Sequence, residues 1–459
     1  MTRIKAVLAT VATTVAVASV GAATLLLPPG TTIESEFGTL TTTKPITEQM
    51  AAKELLTQAE GSYISVITST GESYELAVRD IVAAADTDGV LGAVKELPCI
   101  KRIAHRHQEV RIAPYIVVDK YAVQSFLNEV NPNQEPPKDA EAVYDAEQKM
   151  FVIVPEEVGS TYVRNAKAVV AADILSNPSE PYVLKDHGAY VKAHVTQDDK
   201  ALKTLVDAYN AYKDGALTYT VDEMKETVDF DDIHKVLAPN YTALGVLDGA
   251  EPVVVDKEKV AALVKELAET YTTYGKPHTF HTTTGKDVEL TYGDYGWLLD
   301  EQALADDIYE RVSSKESATA EFPFAQKAMA FVDGHDYTDT YVEISIEDQH
   351  LWYYVDGELA METNVVTGGV YDNHDTRVGI FSIDDKKPNR TLRGPGYASF
   401  VRYWMPFDKL IGMHDASWRS AFGGKIYLTN GSHGCVNMPT SAARFMFENV
   451  DMLTPVIVY

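Results

Sequence analysis

The chain has 459 residues, a length that suggests about three domains rather than one. Hydrophobic residues make up 45% and charged residues 23% of the chain, which is the balance of a globular protein and excludes a disordered one. A net charge of -27 argues against a nucleic-acid-binding protein, because such an excess of acidic groups repels a phosphate backbone.

The first predicted element is an apolar run of 22 residues without a charge, residues 6–27. As a helix, this run is long enough to span a bilayer. Arg3 and Lys5 precede it, and positive residues on that side place the N-terminus in the cytoplasm and the rest outside. A cleaved signal peptide, with Ala22-Ala23 at the cleavage site, is the alternative. We favour an uncleaved anchor over residues 1–30, because the apolar run continues past that site.

The region after the anchor, residues 31–85, is expected to be a polar, Thr-rich linker followed by a helical stretch, with helical periodicity around residues 51–59. Two longer segments follow, residues 86–210 and 211–335. Each contains amphipathic helices and a succession of strand, glycine turn and helix. We therefore interpret these segments as two α+β modules.

From about Tyr341 the pattern changes to short alternating strands. Asp356-Gly357 separates two of them and predicts a hairpin turn. One helix is expected at residues 441–449, and a long loop, of the kind that often forms a functional lid, at residues 384–398. Residues 340–459 are therefore predicted to form a mostly β domain. Its net charge is only -4, so the acidity of the chain lies upstream.

The chain has two cysteines, too few for a disulfide framework. A lone thiol in an exported chain is either buried and inert or retained for its reactivity. Cys99 lies among apolar residues, which is typical of a small buried side chain. A disulfide between Cys99 and Cys435 is the alternative, and it would block the thiol of Cys435.

The segment around Cys435 contains the residue types that a thiol nucleophile needs. A cysteine reacts as its thiolate, which requires a base or a positive charge nearby, and histidine supplies either at neutral pH. His433 is two residues away and would share a face with Cys435 on an extended segment, and His414 is the second candidate. Gly434 allows a tight turn at which backbone amides could hold an oxyanion. Short polar side chains able to orient a histidine or to bind a substrate amide are those of Ser432 and Asn437.

Two other interpretations fit the same residues. A cysteine and two histidines are often packing residues, and they can also be metal ligands. Zinc would need a third and a fourth ligand at suitable spacing, and no second cysteine is near. We therefore expect no metal site, and the residue types alone leave catalysis and packing open.

A resemblance to a known family favours catalysis. The segment Ser432-His433-Gly434-Cys435-Val436-Asn437, with 17 residues between His414 and Ser432, resembles the motif of the YkuD-type L,D-transpeptidases. Residues 365–369 and 376–381 also resemble that family. The resemblance covers residues 340–459 and implies a YkuD-like β-sandwich or barrel with one helix. The chain departs from the family at Arg377, where the family usually has a proline that would stiffen the loop.

The resemblance implies a two-step acyl transfer. Cys435 would attack the carbonyl between the third residue and the fourth, D-Ala, of a donor stem peptide, and an amine of a neighbouring stem would resolve the thioester into a 3→3 cross-link. His414 would be general base and acid, oriented by Asp415, while His433, Gly434 and the cysteine would line the oxyanion site. No cofactor is implied, and carbapenem-class β-lactams are implied as covalent inhibitors. The side chains implied to contact the substrate are those of Ser432, Asn437 and Trp418.

The upstream region carries a second resemblance. Residues 292–297, Tyr-Gly-Asp-Tyr-Gly-Trp, and the helix after them resemble the peptidoglycan-binding domains found upstream of some Gram-positive transpeptidases. This implies that residues 86–210 and 211–335 are peptidoglycan-binding modules 1 and 2, with peptidoglycan stem peptides as partners. Together with the apolar run, it predicts a single-pass membrane protein whose catalytic domain faces the cell wall and acts in wall biogenesis and cell shape. Secretion after signal cleavage is the alternative.

Three other functions remain as alternatives. An L,D-carboxypeptidase would use the same residues, with water in place of the acceptor amine. A catalytically silent wall-binding scaffold is a second alternative, against which the intact pair of His414 and Cys435 argues. A sortase is also an exported Cys/His enzyme, but it would need an arginine soon after the cysteine's strand, and Arg444 lies in the predicted helix.

Overall fold

The computed structural model does not describe residues 1–25, which hold most of the predicted membrane span, or Cys99. Among the residues that it describes, no helix is long and apolar enough to cross a membrane. The described residues are 26–97, 107–241, 250–332, 336–394 and 396–459.

The chain divides into two compact units. One contains Met1–Val143 and Ile153–Lys203, and the other contains Tyr144–Val152 and Thr204–Tyr459. The elements up to the end of the first unit are β1 (Leu26–Leu27), β2 (Thr32–Ser35), β3 (Gly38–Thr41), β4 (Ile46–Thr47), α1 (Glu48–Gly61), β5 (Tyr63–Ile67), β6 (Ser73–Ala77), α2 (Val78–Ile81), β7 (Val82–Ala85), α3 (Thr87–Glu96), β8 (His107–Glu109), a 3-10 helix (Ala113–Tyr115), β9 (Ile116–Val118), α4 (Lys120–Val130), β10 (Glu141–Asp145), β11 (Met150–Val154), α5 (Ala166–Asp173), β12 (Tyr182–Val183) and α6 (Lys200–Asn210). Three of these elements, β10, β11 and α6, contain residues of both units.

The first unit is a mixed α and β structure around one apolar core. Strand β2 pairs with β3 and β8, and Ile33 and Leu40 from this sheet are buried in the core. The structure thus corrects the expected linker at the start of residues 31–85, because this polar stretch forms two paired strands, each of which buries one apolar side chain. The end of the predicted membrane span is also part of the fold, since β1 pairs with β4 and Leu27 is buried.

The upstream part of the second unit places helices beside a three-stranded sheet with the order β14-β13-β20. Asp256 and Asp300 cap its two longest helices by accepting hydrogen bonds from backbone amides of the first turn. Its elements are β13 (Leu217–Val221), β14 (Met224–Val228), α7 (Phe230–Val236), β15 (Leu237–Pro239), β16 (Val253–Val255), α8 (Lys257–Tyr271), β17 (His278–His281), β18 (Asp287–Leu290), β19 (Leu298–Leu299), α9 (Glu301–Ser314), β20 (Ala318–Glu321) and β21 (Phe324–Gln326).

The C-terminal part of the second unit is mostly β, as predicted. A five-stranded sheet, β24-β23-β22-β30-β25, and a four-stranded sheet, β26-β27-β28-β29, enclose a shared core that α11 closes. Its elements are β22 (Tyr341–Ser345), β23 (His350–Val355), β24 (Glu358–Asn364), a 3-10 helix (Val370–Asp372), β25 (Gly379–Ser382), β26 (Lys387–Gly394), β27 (Tyr397–Asp408), β28 (Ile411–Asp415), α10 (Ile426–Asn430), β29 (Val436–Met438), α11 (Thr440–Asn449) and β30 (Pro455–Val458).

Two local predictions in this domain have different outcomes. The hairpin at Asp356-Gly357 is confirmed, since both residues have a positive φ and join β23 to β24. The long loop predicted at residues 384–398 is wrong, because most of it pairs as β26 with the long strand β27. The two prolines and two glycines in this stretch suggested a loop, but Pro388 and Gly394 lie within β26 and pair with Tyr403 and Tyr397.

Candidate active site

Two parallel strands bring the backbone segments of the predicted thiol and the predicted base together in the four-stranded sheet. In the register of β28 and β29, His414 lies opposite Asn437. Cys435 immediately precedes β29, at the end of the turn that leads into this strand. The pairing of β28 with β29 therefore brings the backbone of Cys435 close to the strand that carries His414.

His414 is buried, with 3% of its surface exposed, and both ring nitrogens are engaged. Its Nδ1 lies 3.0 Å from the backbone carbonyl of Asp415, and Nδ1 must donate because a carbonyl only accepts. Its Nε2 lies 3.2 Å from the amide nitrogen Nδ2 of Asn437 and accepts from it. Burial lowers the pKa of His414 below its usual value. The geometry thus describes a neutral imidazole with its lone pair on Nε2.

Cys435 is a free thiol that is partly exposed to solvent. Its Sγ lies 3.9 Å from the carbonyl of Leu410, at the turn between β27 and β28. Burial raises the pKa of Cys435 to about 11, and a backbone hydrogen bond with Gly412 opposes that rise. At rest, the site therefore combines a protonated thiol with a neutral histidine.

Asp415 supports His414 through its backbone, and its carboxylate does not reach the ring. The carboxylate Oδ1 accepts hydrogen bonds from the amides of Arg402 (2.6 Å) and Tyr403 (3.0 Å), and the Arg402 guanidinium lies 3.6 Å from Oδ2. The predicted orienting role of Asp415 thus falls to its carbonyl oxygen. The Asp415 carboxylate instead links the end of β28 to β27, because Arg402 and Tyr403 belong to β27.

The residues before the cysteine form a tight turn. The hydroxyl of Ser432 donates to the carbonyl of Cys435 and accepts from the amide of Gly434 at 3.1 Å. Gly434 has a φ of +108°, a conformation that other residues rarely adopt. Thr376 donates to the Gly434 carbonyl at 2.8 Å. Ser432 is therefore engaged with the backbone, and the Gly434 amide is already used within the turn.

His433 has different surroundings from His414. It is exposed, and its ring lies 4.6 Å from that of His374 and 4.5 Å from that of Tyr397, measured between centroids. Tyr397 belongs to the tip of the β26–β27 hairpin, and burial raises its pKa, with a further contribution from Cys435 when that thiol is ionised. Trp418 is half exposed, and its ring lies 6.0 Å from that of His414.

Arg419 joins these parts, and sequence reasoning did not identify it. Its Nε donates to Oδ1 of Asn437 at 2.8 Å, which fixes the amide so that Nδ2 faces His414. Its two terminal nitrogens donate to the carbonyls of Asn430 (2.8 Å) and Gly431 (3.0 Å). Asn437 is 2% exposed, so it orients the histidine and offers little surface to a substrate. The feature of the sequence that could have indicated this role is the presence of an arginine between His414 and Ser432.

Comparisons with known proteins agree with this site. Residues 339–458 match the family model of the L,D-transpeptidase catalytic domain, and residues 230–321 match that of a peptidoglycan binding domain. A cysteine-to-serine mutant of the Enterococcus faecium L,D-transpeptidase is 30% identical, with 98% of that chain and 55% of this one covered and a TM-score of 0.45. The chain belongs to the L,D-transpeptidase family.

Two other solved structures extend the comparison. The Ldtfm–avibactam carbamoyl enzyme is 30% identical, with 98% of that chain and 56% of this one covered and a TM-score of 0.46. The catalytic domain of the E. faecium L,D-transpeptidase, acylated by ertapenem, is 41% identical, with 100% of that chain and 27% of this one covered and a TM-score of 0.26. No curated protein matches the chain. Residues 339–458 are thus an L,D-transpeptidase domain, with a peptidoglycan binding domain upstream.

Proposed function

We propose that this L,D-transpeptidase forms 3→3 peptidoglycan cross-links with Cys435 as nucleophile and His414 as general base and acid. The observation that carries the proposal is the state of His414. Its Nδ1 is fixed as a donor, and its Nε2 holds a lone pair that accepts from the Asn437 amide in the free enzyme, on the strand that pairs with the one following Cys435. Catalytic hydrogen bonds often form only when substrate binds, so the Asn437 amide must release Nε2 before it takes the thiol proton.

In the first step, Sγ forms a bond to the carbonyl carbon between the third residue and D-Ala of the donor stem, and Nε2 of His414 takes the thiol proton. The backbone amides of His433 and Cys435 hold the oxyanion, since the Gly434 amide donates to Ser432. The carbon–nitrogen bond then breaks, the imidazolium returns the proton to the leaving amine of D-Ala, and a thioester remains on Cys435.

In the second step, an amine of a neighbouring stem attacks the thioester. His414 takes a proton from that amine, the carbon–sulfur bond breaks, and the imidazolium gives the proton back to the sulfur. The new amide is the 3→3 cross-link. Trp418, which is exposed, and Tyr397, which is partly exposed, are proposed to contact the stems.

We further propose that the enzyme is tethered to the cell membrane and faces the cell wall. The apolar run available for a span is residues 6–25, because Leu26 and Leu27 belong to β1, and its 20 residues still suffice to cross a bilayer. Residues 86–210 and 211–335 are proposed as peptidoglycan-binding modules, and the match at residues 230–321 supports this for the second.

The experiment is mass spectrometry of the protein and its products after incubation with a tetrapeptide stem donor and an acceptor stem. We expect an acyl-enzyme in the wild type, none in Cys435→Ala, and a cross-linked dimer as product. Trimmed tripeptide without dimer would show an L,D-carboxypeptidase instead. The absence of an acyl-enzyme, with ertapenem also failing to react, would show a silent scaffold and contradict the proposal. The ertapenem and avibactam adducts of the relatives lead us to expect that these compounds acylate Cys435 here.

A further inference from the structure

Arg377, which stands where the family usually has a proline, forms a two-point ion pair with a buried carboxylate. Its Nε lies 2.5 Å from Oδ2 of Asp408, and its Nη2 lies 2.5 Å from Oδ1. Asp408 is 2% exposed. Paired contacts of this kind fix orientation as well as distance, and a buried carboxylate without its partner is strongly destabilising.

The two ends of this ion pair adjoin two different backbone segments that contact the Cys435 turn. On one side, the hydroxyl of Thr376, adjacent to Arg377 in the chain, donates to the carbonyl of Gly434 and accepts from the amide of Gly368 at 2.9 Å. On the other side, Asp408 ends β27 and begins the turn whose Leu410 carbonyl lies 3.9 Å from Sγ. The ion pair therefore sets the spacing between the two backbone segments that contact the nucleophile and its neighbour.

The guanidinium of Arg377 also contacts the upstream domain. It lies over the ring of Tyr292, 5.8 Å from the ring centroid, at the outer limit of a cation–π contact. The backbone of Tyr292 is itself fixed, because its carbonyl accepts from the amide of Ile380 at 3.0 Å. The chains are so close at this point that a Cβ on Gly293 would lie 1.9 Å from the Ile380 carbonyl oxygen. Tyr292 therefore has a defined position relative to the catalytic domain.

We propose that Arg377 is a positioning residue through which the peptidoglycan-binding domain sets the geometry of the Cys435 turn. A proline would stiffen the loop by its own ring and would need no partner. Arginine replaces that local stiffness with contacts to Asp408 and Tyr292, so the geometry of the nucleophile depends on the upstream domain. This inference rests on the proposed role of Cys435.

The test uses the full chain and measures acylation by ertapenem as a saturating rate and a half-saturating concentration. We expect Arg377→Ala to lower the saturating rate at least about tenfold while half-saturation changes little, because displaced reacting groups slow chemistry more than binding. Tyr292→Ala should lower the rate about threefold, the size of one partly exposed cation–π contact, and Tyr292→Phe should not. The double variant Arg377→Ala/Tyr292→Ala should have the same saturating rate as Arg377→Ala alone, because Tyr292 acts through the arginine. Arg377→Lys should recover part of the rate.

Two controls separate positioning from instability. Arg444→Ala removes an exposed ion pair with Glu448 on α11 and should change neither rate nor melting temperature. Arg377→Ala/Asp408→Asn removes the unpaired carboxylate, so it should restore the melting temperature but leave the rate low. Alkylation of Cys435 by iodoacetamide, which needs no transpeptidase chemistry, reports the geometry of the turn in the same variants.

Three results would overturn the inference: a rate within twofold of wild type for Arg377→Ala, effects of Tyr292→Ala and Arg377→Ala that multiply, or recovery of the rate in the Asp408→Asn double variant. Failure of the proposed function looks different. In that case the wild type itself is not acylated, or Cys435→Ala is acylated equally well.

Discussion

The two histidines near Cys435 stand in opposite environments. His414 is buried in β28, with each ring nitrogen held by one hydrogen bond. His433 is exposed on the turn before the cysteine, with its ring held between those of His374 and Tyr397. His433 is closer in sequence, but only His414 has a defined tautomer. The comparison shows that the tautomer of a histidine is set by the groups that hydrogen-bond to its ring nitrogens, and that distance along the sequence does not reveal it.

Burial also affects the pKa values of His414 and Cys435. Burial lowers the pKa of His414 and raises that of Cys435 to about 11, so both groups are neutral at neutral pH. With a raised pKa, only a very small fraction of the thiol is ionised at neutral pH. In the proposed mechanism, the thiol therefore gives its proton to His414 as it attacks, without a preformed thiolate–imidazolium pair.

The largest effect is expected at the nucleophile. Cys435→Ala should abolish acylation and cross-linking, and Cys435→Ser should do the same, because a serine hydroxyl is far less acidic. The thiol is small, so the melting temperature should change little. The measurement is intact-protein mass spectrometry with ertapenem and with a stem donor. An alanine variant that keeps activity within tenfold of wild type would remove Cys435 from this role.

The next largest effect is expected at His414. Loss of a general base typically costs about 10² to 10⁴ in rate, so His414→Ala should lose acylation by a factor in that range at neutral pH. The measurement is the ertapenem acylation rate, with melting temperature as the control for folding. A loss smaller than that of His433→Ala would contradict the assignment.

Arg419→Ala sharpens the comparison, because it disturbs His414 without touching it. We expect a loss of about tenfold or more in the saturating acylation rate, because Asn437 is then free to rotate and the carbonyls of Asn430 and Gly431 lose their donor. Arg444→Ala is the matched control, since it also removes an arginine ion pair, at an exposed site on α11. Equal effects of the two variants would show that Arg419 acts only through general stability.

His433→Ala should have a smaller effect of a different kind. Ring contacts are worth about 0.5–1.5 kcal/mol, so we expect a change of about three- to tenfold, mainly in the half-saturating concentration of a stem donor. His433→Phe should recover part of it by restoring the ring. A loss confined to the saturating rate would instead indicate a chemical role for the imidazole.

The smallest effect is expected for Cys99→Ala, which should leave the acylation rate unchanged. The reason is that Cys435 carries a free thiol and Cys99 lies outside the catalytic domain. The rate should be measured with and without reductant. A large loss in the folded variant, or a gain on reduction of the wild type, would support the disulfide alternative.

Much of this site was predictable from sequence because its residues lie in one short motif. Cys435, His433 and Gly434 are adjacent in the sequence. The face predicted to be shared by His433 and Cys435 assumed an extended segment, whereas these residues form a tight turn in the structure. The mostly β domain and its helix, residues 440–449 in the structure, follow from alternation and helical periodicity. The strands and the helix were predictable because alternation and helical periodicity can be identified from neighbouring residues alone.

The parts that sequence reasoning missed depend on contacts between distant segments. Arg419 matters because β28 and β29 are parallel neighbours, which places Asn437 beside His414 across 23 residues of chain. The side chains of Asp415 and Asn437 could have faced either the histidine or the substrate, and only the register decides. Likewise, the sequence shows Arg377 only as a departure from the family motif, and the structure shows its contacts with Asp408 and Tyr292.

The most direct test of the central claim is the pH profile of Cys435 reactivity in wild type, His414→Ala and His433→Ala. Iodoacetamide alkylation of the wild type should rise steadily above pH 8 without a plateau below about pH 10, because the thiol pKa is raised. Ertapenem acylation of the wild type should persist below pH 6.5, because the pKa of His414 is lowered and the base stays neutral there. His414→Ala should lose acylation at neutral pH and regain part of it as rising pH ionises the thiol, while His433→Ala should keep the wild-type profile. An alkylation plateau at acidic pH, or a pH-recoverable defect in His433→Ala and none in His414→Ala, would contradict the account.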